Sequence, residues 1–96
     1  MSQLDVLEPK DPDDKVDYAV NWSRYLSRVG DTILTSTWPV VPSGITKLSD
    51  THDGMRAIIK LGGGTAGTDY QLTNRIVTTP GDRQRDRTIT IRVRDR

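Results

Sequence analysis

Four segments of this chain alternate between apolar and polar residues, and this alternation constrains the fold more than any other feature of the sequence. The segments read VDYAVNW, MRAIIKL, DYQLTNRIVTT and RTITIRVR. Alternation with a period of two residues is typical of a β-strand that buries one face. Turn residues separate the segments, and no amphipathic helix of useful length lies between them. The pattern predicts an all-β fold, specifically an antiparallel β-sandwich.

The alternation also predicts which side chains point into the sandwich. Because successive residues of a strand face opposite sides, each segment has one apolar face. We expect the inward faces of the four strands to hold Tyr18, Val20 and Trp22, then Ala57, Ile59 and Leu61, then Tyr70, Leu72, Asn74 and Ile76, and finally Ile89, Ile91 and Val93.

A fifth strand is predicted for DTILTSTWPV, which is rich in β-branched residues. Strict alternation places Ile33 on one face of this strand and Trp38 on the other. Pro39 and Pro42 are expected to end the strand, because proline cannot donate a hydrogen bond to a ladder.

Three shorter stretches connect the strands. SRYLSRV suits about one helical turn or a bent loop, which Gly30 closes. The residues from Ile45 to Leu48 are expected to form a short strand. PGDRQRDR is interpreted as a polar turn before the last strand.

Composition limits the size and the environment of the domain. The chain has 96 residues, of which 33% are hydrophobic and none is Phe, so Trp22, Trp38 and three tyrosines supply all the aromatic burial. This lean apolar content, with 28% charged residues, favours stabilisation by assembly with a partner. The absence of cysteine excludes a disulfide framework and a thiolate nucleophile, and it fits synthesis in a reducing cytoplasm. No run of residues is long and apolar enough to predict a membrane span.

Charge is distributed unevenly along the chain, although the net charge is only +1. Residues 1–22 contain six acids and two lysines, whereas residues 81–96 contain six arginines and three aspartates. Residues 1–15 combine prolines with many charges, and we interpret them as an extended acidic arm. The sandwich is then expected to comprise residues 16–96.

The glycines of LGGGTAGT at positions 62, 64 and 67 formally match the G-x-G-x-x-G pattern of dinucleotide-binding sites. Such a site needs a helix after the glycine turn, whereas the next segment of this chain has the pattern of a strand. We therefore assign Gly64 and Gly67 a structural role in a turn, and we expect no cofactor. Tyr70 could bond the backbone upstream, as in the tyrosine corner of immunoglobulin-like folds, or it could be an ordinary exposed hairpin residue.

The order of these features resembles that of a known family. The segments DPDDKVDYAVNWSRYL, GDTILTSTWPV and LGGGTAGTDYQLTNRIVTTPGDRQRDRTITIRV are similar to small virion proteins of tailed bacteriophages, the fiber–tail adaptor group of immunoglobulin-like domains. The resemblance covers about Lys10 to Val93. It implies a non-enzymatic immunoglobulin-like sandwich located in the tail or neck of the virion after synthesis in the host cytoplasm. It also implies a ring of copies and partners among tail, neck and fiber proteins.

The charge distribution suggests how copies contact each other. Our hypothesis is that the acidic arm of one copy lies against a basic surface of the next copy. The residues assigned to this contact are Asp11, Asp13 and Asp14 in the arm and Arg83, Arg85, Arg87, Arg92 and Arg94 in the basic surface. The same arginines could contact nucleic-acid phosphate, as in a neck connector that touches DNA. The interleaved aspartates and the lack of aromatic residues among them disfavour that alternative.

The remaining candidate sites have weaker support. His52 lies near Ser49 and Thr51, but no set of nucleophile, base and orienting group appears, so we expect no enzyme. The DPDD stretch lacks the spaced ligands of a calcium loop, and we expect no metal. Trp22 and Trp38 could stack on sugar in a stand-alone carbohydrate- or surface-binding module. The alternation instead assigns both to the core.

Overall fold

The alternating segments form strands where the sequence predicts them. The computed structural model describes residues 10–95, and residues 1–9 and 96 lie outside the described part. In chain order the elements are β1 (Val16–Asn21), α1 (Ser23–Val29), β2 (Thr32–Val40), β3 (Ile45–His52), β4 (Arg56–Gly63), β5 (Asp69–Thr79) and β6 (Gln84–Arg92). The strands form two antiparallel three-stranded sheets with the orders β1-β4-β3 and β2-β5-β6. The predicted all-β, two-sheet architecture is therefore confirmed.

The core lies between the two sheets and is built from the predicted inward faces. Every residue of those faces is buried, and the most exposed of them, Tyr18, is 8% exposed. Antiparallel pairing places these residues opposite one another, as with Tyr18 and Ile59 or Leu72 and Ile89. Full burial of one such side chain contributes about 1.5–3 kcal/mol. The two sheets are therefore held together mainly by these faces.

Strand β2 departs from strict alternation. Ile33 and Trp38 are both buried although they are five residues apart, and Leu34 beside Ile33 is 55% exposed. The pairing of β2 with β5 shifts register twice, once after Ile33 and once before Val40. An irregularity that adds a residue reverses the face of everything beyond it, so both buried residues reach the core. The prediction that they occupy opposite faces was wrong, and the strand continues past Pro39 to Val40.

The connections also differ in length from the prediction. The helical turn is confirmed as α1, and Gly30 ends it with a left-handed φ of 75° and an N–H that donates to the Leu26 carbonyl at 2.8 Å. Strand β3 is longer than predicted and continues to His52. The polar turn is shorter than predicted, because β6 begins at Gln84.

One buried amide connects the two sheets. The indole N–H of Trp22, which directly follows β1, donates to Oδ1 of Asn74 in β5 at 2.9 Å. The Nδ2 group of Asn74 donates to Ser36 Oγ at 2.9 Å and to the Thr37 carbonyl at 3.0 Å, and both acceptors lie in β2. Asn74 is fully buried. Its amide thus has partners on both its oxygen and its nitrogen, as a buried polar group requires.

Replacement of Asn74 by Leu should destabilise the fold by about 1–3 kcal/mol, because the buried Trp22 N–H then has no acceptor. The double variant Asn74→Leu/Trp22→Phe, which removes donor and acceptor together, should cost less than the sum of the two single variants. Urea unfolding followed by circular dichroism measures all three. Thr73→Val, which breaks only an exposed hydroxyl pair with Thr88, is the control and should stay within about 0.5 kcal/mol. Strict additivity of the two core substitutions would contradict the coupling.

Candidate functional site

The glycine-rich turn connects two strands. β4 ends at Gly63 and β5 begins at Asp69, so the glycines lead into a strand and not into the helix that a dinucleotide site requires. Gly64 and Gly67 have positive φ angles of 98° and 87°. A Cβ on Gly64 would lie 2.7 Å from Cγ2 of Val93, whereas a Cβ on Gly67 would meet no atom within 4 Å. These glycines therefore allow the backbone to reverse, and Gly64 also allows close approach to the end of β6.

Tyr70 bonds the turn that precedes it. Its hydroxyl accepts a hydrogen bond from the backbone N–H of Thr65 at 3.0 Å, and its ring is buried with 7% exposure. This is the contact that defines a tyrosine corner. Hydrogen bonds from Thr65 lower the pKa of the Tyr70 hydroxyl below its usual value. The ring also packs against Gly44, where an added Cβ would lie 3.2 Å from the hydroxyl oxygen.

Alanine substitutions should separate the two roles of the glycines. Gly67→Ala should cost about 1–2 kcal/mol, because it forces a side chain into left-handed backbone in open space. Gly64→Ala should cost more, by roughly 1–3 kcal/mol, because it adds a steric conflict with Val93 to the same backbone strain. Thermal or urea unfolding of the two variants checks this order. Equal losses would show that the close approach to Val93 is unimportant.

Lys10 attaches the predicted arm to the sandwich. Its backbone N–H donates to the Arg92 carbonyl at 2.7 Å, and its carbonyl accepts from the Arg94 N–H at 2.9 Å, in a parallel bridge opposite Val93. Its side chain is fully buried, and Nζ donates to the Gly63 carbonyl at 2.6 Å. Lys10, which lies within the predicted arm, therefore packs against the sandwich. A single lysine in a charged segment gives no sequence signal for such burial.

Asp11, Asp13 and Asp14 form a compact turn, which we call the acidic turn. The Asp13 N–H donates to Oδ1 of Asp11 at 2.9 Å, and the Asp14 N–H donates to the Asp11 carbonyl at 3.0 Å. The Asp11 N–H donates to Oδ2 of Asp14 at 3.3 Å. The Asp11 and Asp14 carboxylates thus hold the turn, while Asp13 is exposed. Within residues 10–95, no group of three potential metal ligands is present.

The structure separates the predicted basic residues into two groups. Arg92 and Arg94 lie at the end of β6 beside Lys10, near the acidic turn. Arg85 and Arg87 precede Val93 by eight and six residues, or about 27 and 20 Å of strand. The five arginines therefore do not form one continuous surface. Of the terminal pair, Arg94 is paired with Asp69 at 2.9 Å.

Arg85 and Arg87 lie in β6 rather than in the preceding turn, and both cover aromatic rings. The Arg85 guanidinium carbon lies 4.6 Å from the centre of the Tyr25 ring, and that of Arg87 lies 4.8 Å from the Trp22 ring. Arg87 also donates to the Asn21 carbonyl at 3.3 Å. Such cation–π contacts depend on the packing of α1 beside β6. Because Trp22 and Tyr25 are distant from these arginines in the sequence, the residue pattern gives no sign of the contacts.

Arg83 has an exposed side chain that pairs with the buried carboxylate of Asp31. That carboxylate, on a residue only 4% exposed, accepts from Thr78 Oγ1 at 2.7 Å, from Arg83 Nη1 at 2.8 Å and from the Gly81 N–H at 3.2 Å. The Thr78 hydroxyl, together with Arg83 and Gly81, lowers the pKa of Asp31 despite the opposing effect of burial. Arg83 therefore closes the β5–β6 turn.

Asp31→Asn should reduce the loss of stability in acid. The folded-state pKa of Asp31 lies below its unfolded value, so the carboxylate stabilises the fold fully above an unfolded pKa of about 4. That contribution is lost as the pH falls through the folded-state pKa. Between about pH 5 and pH 2 the wild type should therefore bind up to roughly one more proton on unfolding than the variant. Urea titrations at several pH values test this, with Asp17→Asn as an exposed control, and identical pH profiles would contradict it.

The two tryptophans are buried, at 2% and 7% exposure for Trp22 and Trp38. Their rings are therefore not available to stack on a sugar. The exposed His52 has its Nδ1 3.1 Å from the Asp53 carbonyl. In the part of the chain that the structure describes, no helix has the length and apolarity needed to cross a membrane.

Within residues 10–95, three large apolar side chains are exposed, and each lies at or beside an irregularity of an edge strand. Leu34 and Val40 of β2 and Leu48 of β3 are 55%, 49% and 44% exposed. The strand register shifts at Leu34, at Leu48 and just before Val40. Bulges at sheet edges redirect side chains in this way. Strands β2 and β3 lie at one side of the sandwich, opposite the side formed by β1 and β6.

These features define a small antiparallel β-sandwich that presents charged groups at its two ends and apolar groups along one side. The family model for the podophage GP4 fiber-tail adaptor protein gp77 matches residues 10–92. The chain therefore belongs to this fiber–tail adaptor family, which confirms the resemblance found in the sequence. No curated protein matches the chain.

Membership of this family gives the general role and location. The family is one of structural phage adaptors and is not known as a family of enzymes. A phage tail adaptor resides in the virion tail and interacts with other tail or fiber proteins.

Proposed function

We propose that the chain is a non-enzymatic, immunoglobulin-like adaptor that links components of a bacteriophage tail or neck and works as a ring of copies. One set of contacts joins neighbouring copies, and another joins the ring to tail, neck or fiber proteins. The family match over residues 10–92 supports the adaptor role. The acidic turn lies at one end of β6 and Arg85 and Arg87 lie near the other, and this separation is the observation that supports the ring.

The strand order supports the immunoglobulin-like part of the proposal. In a constant-type immunoglobulin domain, strands A, B, E and D form one sheet and strands C, F and G form the other. The order β1-β4-β3 corresponds to B-E-D, and β2-β5-β6 corresponds to C-F-G. Tyr70 near the start of β5 corresponds to the tyrosine corner near the start of strand F. The Trp22–Asn74 hydrogen bond joins the strands that correspond to B and F, which a disulfide joins in antibody domains.

Opposite charges at different places on one molecule favour a heterologous contact. In such a contact the acidic end of one copy meets the basic end of the next, and a ring forms when the repeated rotation closes. The acidic arm over residues 1–15, with Asp11, Asp13 and Asp14, supplies the acidic side of this contact. Its residues 1–9 lie outside the described part. Exposed ion pairs contribute only about 0–1 kcal/mol each, so they fix register more than they supply affinity.

The apolar side chains along β2 and β3 serve the second set of contacts. Leu34, Val40 and Leu48 are exposed on the side of the sandwich away from Lys10 and the acidic turn. Large exposed apolar groups on a chain with a lean core favour contact with another protein. This side therefore remains available to tail or fiber proteins while the ends contact neighbouring copies.

The purified chain should have a mass in solution several times that of its 10.7 kDa monomer. Raising the salt from about 0.1 to 1 M, which shortens the Debye length from about 10 to 3 Å, should shift the chain toward monomer. Light scattering after size exclusion measures both effects. Removal of residues 1–9, which leaves Lys10 in place, should also lower the mass if the arm contributes. A chain that stays monomeric at every concentration would contradict self-assembly, and localisation of the chain in purified virions tests the adaptor role separately.

A further inference from the structure

We infer that four arginines beside α1, which we call the arginine platform, receive the acidic turn of a second copy. The platform consists of Arg24 and Arg28 on the helix and Arg85 and Arg87 on β6. The inference rests on the proposed assembly of copies and names the two surfaces that meet. It replaces the five-arginine surface expected from the sequence.

Two of the platform arginines are supported by aromatic rings. Arg85 lies over Tyr25 and Arg87 lies over Trp22, and the two rings themselves pack edge to face with centroids 6.2 Å apart. A guanidinium that stacks on a ring keeps its in-plane N–H groups free to form paired hydrogen bonds to a carboxylate. Because stacking already restricts the side chain, less conformational entropy is lost on binding. Arg85 is therefore well placed to bind acids, whereas Arg87 also donates to the Asn21 carbonyl.

The helix adds two further positive charges. Arg24 and Arg28 are four residues apart, so they lie on the same side of α1, and both are exposed. Neither forms an ion pair with any residue between 10 and 95, and the same holds for Arg85. Most other arginines are neutralised within the fold: Arg56 pairs with Asp53, Arg75 with Asp86, Arg83 with Asp31 and Arg94 with Asp69. Uncompensated positive charge thus accumulates around α1, where it attracts acids.

The acidic turn has the complementary chemistry and a fixed shape. Its backbone is held by the Asp11 and Asp14 carboxylates, and Asp13 projects into solvent. The buried Lys10 holds the turn against the end of β6. A group that is held in place before binding loses little freedom on association. The turn can therefore present acids to a neighbour without a folding step.

The acidic turn cannot reach the platform of its own copy. Lys10 pairs with Val93 beyond the last residue of β6, whereas Arg85 is the second residue of that strand. A strand of nine residues spans about 30 Å, so the two surfaces lie near opposite ends of the molecule. The acids that meet the platform must therefore come from another molecule, and a second copy supplies them in a head-to-tail arrangement.

Neutral substitutions on each surface test this contact. The platform variant is Arg24→Gln/Arg28→Gln/Arg85→Gln, which keeps Arg87 because it also bonds the Asn21 carbonyl. The turn variant is Asp11→Asn/Asp13→Asn/Asp14→Asn, in which each amide oxygen can still accept the backbone bonds of the turn. A matched control, Lys47→Gln/Lys60→Gln/Arg75→Gln, also removes three positive charges but lies on β3, β4 and β5 and belongs to neither surface.

Each test variant alone should self-associate about tenfold more weakly than wild type or the control, as measured by sedimentation equilibrium. An equimolar mixture of the platform and turn variants should form a dimer and nothing larger. In that mixture one intact platform meets one intact turn, and no second contact can follow. Circular dichroism checks that the variants fold. If the triple platform variant does not fold, the double variant Arg24→Gln/Arg28→Gln provides the same test.

The outcomes distinguish the inference from the proposed function. Wild type that remains monomeric would overturn both. Wild type that assembles, with a platform variant that assembles as well as wild type and the control, would overturn the platform and leave the ring in place. If the platform variant assembles normally but loses salt-sensitive binding to a short DNA duplex, then the arginines contact phosphate, and the head-to-tail contact is wrong.

Discussion

The side chain of Trp22 connects the packing of the sandwich to the arginines beside α1. Its N–H donates to the buried amide of Asn74, which joins the two sheets. Its ring packs edge to face against Tyr25 of α1 and lies beneath the guanidinium of Arg87. The indole is only 2% exposed. It thus fixes the relation between the sheets, the orientation of the helix and the position of the half-buried Arg87 guanidinium.

Buried hydrogen bonds are important for the stability of this fold because its apolar core is small. Only 33% of the chain is hydrophobic, and a domain of this size buries only about 60–65% of its unfolded surface. Asn74 and Asp31 are buried, and both side chains have several hydrogen-bond partners. Buried groups with satisfied hydrogen bonds specify one arrangement of the surrounding backbone. Binding to neighbours adds stability by mass action. An adaptor held between other virion proteins is therefore a suitable context for a domain with a small core.

The sequence pattern predicts the buried face of a strand correctly where the strand pairs with its neighbour without a shift of register. The faces of β1, β4, β5 and β6 were readable because their alternation is unbroken. β2 was not, because an irregularity that reverses the face after Ile33 leaves no mark in the residue pattern. The burial of Lys10 and the stacking of Arg85 on Tyr25 were also missed. Both depend on elements that are distant in sequence and meet only in the folded chain.

The folded chain converts a charge difference along the sequence into a charge difference across the molecule. The acidic start returns to the end of β6, so it lies beside Arg92 and Arg94 and not beside Arg85. Acids and bases balance locally at that end, where Arg94 pairs with Asp69. β6 carries the other arginines of the same basic segment to the opposite end. Because β6 is extended, it keeps the acidic turn about 20 Å or more from Arg85 and Arg87, so the turn can meet these two arginines only in a contact between molecules.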